Sequence, residues 1–129
     1  MSLLHLSASR RYYLYNGSAD MRRTFRGLTA IVRGELACNP LSGDVFIFFN
    51  RQRTQVKLLL WMPEGFEIYQ QRLERGTFEL PATQGDASGR PIPWQDLQFI
   101  LQGVDLKSIR FRKRYQSKSP SSVQPAIRG

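Results

Sequence analysis

Cysteine and histidine are nearly absent from this 129-residue chain, which holds one of each, Cys38 and His5. A single cysteine cannot close an internal disulfide, and one cysteine with one histidine cannot complete a structural zinc site. The residues therefore predict neither a metal nor a cofactor, and they fit a reducing cytoplasm. No uninterrupted apolar run approaches the roughly 20 residues that a membrane helix needs, and Met1-Ser-Leu-Leu-His-Leu has no basic lead before a long apolar stretch. A cytoplasmic protein without membrane contact is expected.

Acid is missing from one region altogether. Between Lys107 and Gly129 there is no Asp or Glu, while Lys107, Arg110, Arg112, Lys113, Arg114, Lys118 and Arg128 supply most of the net charge of +9. The remaining 12 basic residues face all 10 acidic ones, so residues 1–106 are nearly balanced. This division predicts a single domain over 1–106 and a basic, flexible tail over 107–129. Such a tail meets a polyanion or is simply solvated.

The parts of several chemistries are also missing. A metal-dependent nuclease needs clustered carboxylates around a pair of metals. Here Asp20 reads as a helix cap, Asp44 as the start of a strand, Glu64 and Glu74 as turn residues and Asp96 as a first-turn helix residue. No glycine-rich phosphate loop and no G-x-S-x-G elbow occurs. The expected protein is not an enzyme, and binding is the function that remains.

What is present is a folding sequence, 41% hydrophobic and 12% aromatic. Tyr-Tyr-Leu-Tyr after two arginines predicts an edge strand ending at the turn Asn16-Gly17. Ser18 or Asp20 can cap a helix whose Met21, Phe25, Leu28, Val32 and Leu36 share one face. Asp44-Val-Phe-Ile-Phe-Phe-Asn50 is apolar on both faces, the mark of a central strand. Strands over 55–62, 66–72 and 77–80 follow with short turns, then a loop over 81–92, then a helix opened by Pro93 and closed near Gly103 and Val104. The predicted fold class is α+β, an antiparallel meander sheet of four to five strands with two helices packed on it.

Three groups of cations are candidates for nucleic-acid binding. Arg22, Arg26 and Arg33 fall on one flank of the first helix, an arrangement that equally describes a solvated face. Arg51 and Arg53 sit at a hairpin tip leading to Lys57, where they can reach phosphates without desolvating anything else. Arg110, Arg112, Lys113 and Arg114 interleave with Phe111 and Tyr115, as phosphate contact plus base stacking would use. A second set is a candidate for partner binding: Gly27 and Gly34, a heptad apart and opposite the apolar stripe, with Trp61, Phe66 and Tyr69 on the strands.

Taken in order, these segments resemble a known family. The carrying stretches are Asp20-Met21-Arg22, Phe25-Arg26-Gly27-Leu28, Pro40-Leu-Ser-Gly43, Val45-Phe46-Ile47-Phe48, Asn50-Arg51 and Lys57-Leu58-Leu59-Leu60-Trp61. They continue through Gly65-Phe66 and the run Arg72-Leu-Glu-Arg-Gly-Thr-Phe78 to Leu97, Leu101, Gly103, Val104 and Asp105. The family is the TnpB-type accessory protein, product of the second open reading frame, of bacterial insertion sequences of the sixty-six type, and the likeness covers roughly residues 11 to 106. Two positions depart from its pattern: Gln71 stands where a lysine is usual, and Leu80-Pro81 where Trp-Pro is usual. The resemblance implies a role in transposition beside a separate transposase, and it brings no catalytic residues. Two functions are then expected as alternatives: binding DNA, at the element ends or a displaced strand, or docking on the transposase as an adaptor.

Overall fold

The computed structural model describes residues 6–82 and 87–103. Its elements run β1 (Tyr12–Tyr15), α1 (Phe25–Gly34), β2 (Val45–Phe49), β3 (Gln55–Met62), β4 (Gly65–Arg72), β5 (Gly89–Ile92) and α2 (Trp94–Gln102). The strands form one sheet in the order β4-β3-β2-β1-β5. The fold is α+β, as its sequence pattern predicts, and the two helices take opposite faces of the sheet.

Strand alternation builds both cores. In β2, Val45, Ile47 and Phe49 turn to the side of α2, where they join Tyr12, Leu14, Val56, Leu58, Leu60, Leu97 and Ile100. Phe46 and Phe48 turn to the side of α1, where they meet Tyr15, Leu28, Ile31, Val32 and Leu59. All five residues of β2 are buried. Burying a Phe, Val or Ile fully contributes about 1.5–3 kcal/mol each, so this strand is the main hydrophobic anchor.

The sheet departs from a pure meander in two places. β2, β3 and β4 are antiparallel neighbours, but β1 pairs with β2 in parallel, Tyr12 opposite Val45. The connection between them carries α1, and a helical crossover is what parallel pairing requires. The fifth strand lies within 81–92, the stretch read as loop, and by pairing with β1 it makes β1 an inner strand instead of the edge strand its sequence predicts. Pro91 has no amide to donate, which an edge strand such as β5 tolerates. A Cβ at Gly89 would come within 2.5 Å of Leu36 Cδ2 and 2.7 Å of the Leu14 carbonyl, so close packing requires this glycine.

Residues 77–80 form no strand. Phe78 instead donates its amide to the Arg53 carbonyl at 2.7 Å and packs edge-on against Phe49, with ring centroids 5.3 Å apart. α1 begins at Phe25, four residues later than its apolar spacing predicts. Asp20 does not cap it, because its carboxylate accepts the Arg22 amide at 2.9 Å and the Arg22 guanidinium, and Met21 and Arg22 make a turn before Thr24, the extended residue that precedes α1. α2 fits its signals more closely: Pro93 precedes it, and Gly103 ends it at a φ of 77°.

Candidate nucleic-acid interface

The two ends of the sheet collect different loops. At one end lie Asn16 to Thr24, the β2–β3 turn Asn50–Thr54, and the chain leaving β4 at Arg72. Asn50 builds the turn: its Oδ1 accepts the amides of Thr54 and Gln55 at 2.9 and 3.0 Å, while its Nδ2 donates to Thr54 Oγ1 at 3.0 Å and Gln52 Oε1 at 3.3 Å. Arg53 takes a left-handed backbone, φ 60°, which costs a non-glycine residue roughly 1–2 kcal/mol. The run after Arg72 holds the turn from outside, with Leu73 donating its amide to the Thr54 carbonyl at 2.8 Å and Phe78 to that of Arg53.

This scaffold brings Arg22 and Arg51 into one open groove of about 460 Å³, shared with Asp20, Asn50, Gln52 and Gln55. A smaller cleft of about 80 Å³ adjoins it, lined by Tyr15, Asn16, Arg51 and Arg53. Arg51 and Arg53 are exposed and form no ion pair among the described residues. Arg22 is exposed too, but its guanidinium lies 2.6 Å from the Asp20 carboxylate, and hydrogen bonds from Arg22 hold that carboxyl well below its usual range. Tyr15 also borders the smaller cleft. Burial first, then donation of its hydroxyl to Glu35 at 2.7 Å, pushes its phenol up to about 12.

The other candidates scatter. Arg26 and Arg33 stand on the exposed side of α1 with Ala30 between them and line neither cavity. Arg22 precedes the helix, so the three arginines are not one helical flank. Lys57 is a correction: it is only 6% exposed, and its ammonium donates to the Arg23 carbonyl at 2.6 Å, fixing the approach to α1. Its β3 position turns it to the side of α1, away from the hairpin tip. Arg110, Arg112, Lys113 and Arg114 lie outside the described residues.

Of the partner-binding candidates, Trp61 and Phe66 face each other across the β3–β4 pairing on the side of α1, whereas Tyr69 packs on the side of α2. Gly27 is covered by the Arg23 side chain from the segment before α1, since a Cβ there would meet Arg23 Cβ and Cγ at 3.0 Å, while Gly34 is the last residue of α1 and faces open space. Trp61, Phe66 and Tyr69 are therefore not one surface, and the two glycines are not one groove.

Two features escape a reading of the sequence. Arg72 pairs in register with Gln55, which lines the groove, and Arg75 follows it on an exposed turn, so both add charge to this end. The strand register reveals this, and sequence spacing does not. Arg90 is the other: its Nε and one terminal nitrogen are buried without a hydrogen-bond partner among the described residues. Among those residues no group of three His, Cys, Asp or Glu is placed to hold a metal, and no helix is long and apolar enough to cross a membrane.

Comparison with known proteins accounts for most of the chain. Two uncharacterized proteins of Sinorhizobium fredii (strain NBRC 101917 / NGR234) are similar to it. One, y4hO, is 33% identical over 95 residues, covering 74% of this chain and 81% of the relative. The other, y4jC, is 28% identical over 104 residues, covering 81% and 85%. No solved structure matches. Residues 10–111 match the family described as IS66 Orf2 like protein, and the chain thus belongs to this family of insertion-sequence accessory proteins.

Proposed function

We propose that the protein is a non-catalytic accessory factor that assists transposition in the cytoplasm by binding DNA at the basic end of its sheet. The observation that carries this reading is the convergence of Arg22 and Arg51 on one groove, with Arg53 beside it and Arg72 in register with its lining. Arginine forks present several donors in a fixed plane, which suits phosphate oxygens, and the rigid turn holds two of them without the entropy of a floppy loop. Each neutralised phosphate releases condensed counterions, so affinity is electrostatic in origin and falls with salt. The basic residues from Lys107 onward supply further non-specific attraction.

The test is a fluorescence-anisotropy titration of element-end DNA, duplex and single-stranded, at two salt concentrations. It compares the full chain, residues 1–106, and the double variant Arg51→Ala/Arg53→Ala. The expected log-log slope steepens by about 0.9 per duplex phosphate contacted, and the double variant loses roughly two such contacts. Undetectable or salt-insensitive binding by the full chain removes the reading. Docking on the element's transposase is the second reading, supported by the solvent exposure of Phe25, 44%, on the side of α1. A transposase pull-down that survives high salt is its signature.

A further inference from the structure

Phe25 opens α1, where apolar spacing predicts a core residue, yet the residue is 44% exposed. It stacks on Phe66 with centroids 6.0 Å apart and planes at 28°. Phe66 in turn meets Trp61 edge-on at 4.9 Å. Three rings thus form one continuous surface, with its inner members backed by the sheet and its outer member open to water. Phe25 packs one side on Phe66 and leaves the rest open, so the three rings together present an apolar patch at the surface rather than a single stray side chain.

The surroundings identify what would cover it. Residues 21–34 carry Arg22, Arg23, Arg26 and Arg33 and no acid, although Asp20 just before them pairs with Arg22. Arg23 runs along the first turn of α1, its guanidinium donating to the Gly27 carbonyl at 3.4 Å, and Arg22 and Arg26 are exposed. A flat apolar face among cations complements a ligand that alternates anions with flat rings, which describes an unpaired nucleic-acid strand. A duplex keeps its base faces stacked inside and cannot use the ring. The chain leads from the groove toward this ring: Arg22 lines the groove and Phe25 follows three residues later, its α-carbon at most roughly 10 Å away, with its ring turned toward Phe66 and Trp61 near the β3–β4 turn.

We infer that Phe25, backed by Phe66 and Trp61, is a stacking platform for an unpaired base of single-stranded DNA whose phosphates pass through the Arg22–Arg51 groove. This assignment rests on the DNA-binding reading and gives it a substrate class, the displaced or unpaired strand.

The experiment uses the full chain with two labelled probes, oligo-dT and a blunt-ended linear duplex of matched length, followed by anisotropy at one fixed salt concentration. Phe25→Ala is expected to weaken oligo-dT binding roughly tenfold and to leave the duplex unchanged, while Phe25→Tyr retains the wild-type preference. Arg51→Ala/Arg53→Ala weakens both probes. In a Trp94→Phe background the remaining Trp61 fluorescence is expected to respond to oligo-dT and not to the duplex. Equal loss on both probes, or no loss, overturns the platform while the arginine result leaves the DNA-binding reading standing. Absence of any DNA binding by wild type removes both. Unchanged DNA binding with lost transposase capture in Phe25→Ala makes the surface a protein dock and overturns the platform.

Discussion

The two hairpin turns of this sheet differ in how they use arginine. At the end holding the β3–β4 turn, Arg11 pairs with Asp44 at 3.0 Å, and Arg10 donates to the Gly43 carbonyl at 2.9 Å and to Met62 Sδ at 3.6 Å. Both side chains serve the protein's own loops. The turn itself needs two residues, Pro63 and Glu64, closed by Gly65 at a φ of 142°. At the other end the turn takes five residues, an asparagine network, a left-handed Arg53 and an outer run that donates two amides to it. Arg51 and Arg53 then project from it without a carboxylate partner among the described residues. Chain reversal alone is cheap, as the first turn shows, and the extra construction at the second fixes the backbone from which Arg51 and Arg53 emerge.

The largest expected effect breaks the support of the basic turn. Phe78→Ala removes a buried ring that touches Phe49, and a cost of about 3–5 kcal/mol in denaturant unfolding is expected. A loss below about 1 kcal/mol would mean that the outer run is not anchored there. Next, Asn50→Ala deletes four hydrogen bonds and is expected to cost about 2–3 kcal/mol, against a change within about 0.5 kcal/mol for Glu64→Ala at the opposite turn. Equal effects at the two positions would erase the contrast between the ends.

Alkaline titration sharpens the same comparison. The Tyr15 phenol ionises at about 12 in the folded chain against 10.0 as its ordinary value, so the folded state prefers it neutral. That contribution is complete below pH 10 and is lost as pH rises from 10 through 12, on the order of 1–2 kcal/mol. Thermal melts of Tyr15→Phe are expected to show a shallower decline over that window than wild type, and parallel declines would contradict the assignment. Arg53→Gly separates stability from binding: relief of the left-handed backbone is expected to leave stability unchanged or raise it by about 1 kcal/mol, while DNA affinity falls. The smallest effect lies on α1, where Gly34→Ala is expected to stabilise by about 0.5–1 kcal/mol without touching DNA affinity, because nothing stands within 4 Å of the added methyl.

Periodicity located the buried strand Val45–Phe49, the β3–β4 hairpin and α2, because each follows from side chains along one local segment. It misplaced what depends on neighbours. Lys57 looked like a hairpin cation and proved to be a buried donor to Arg23, since only the pairing of β3 under α1 decides which way it turns. Gly89-Arg-Pro-Ile92 looked like loop because Gly and Pro are poor strand formers, yet an edge position beside β1 accepts both. Phe25 belongs to an apolar stripe by spacing, but α1 starts there, and its ring packs on Phe66 with its outer part left open.

The sequence by itself determined the family, the α+β class, the central strand and an excess of positive charge, all of which are properties of residue order along the chain. Only the tertiary structure decided that β1 runs parallel to β2, that the helices take opposite faces, and that Arg22, Arg51 and Arg72 gather at one end while Lys57 is buried. Those outcomes depend on which distant segments share a strand register, and register is set by the mutual burial of both sheet faces, a condition no local pattern contains.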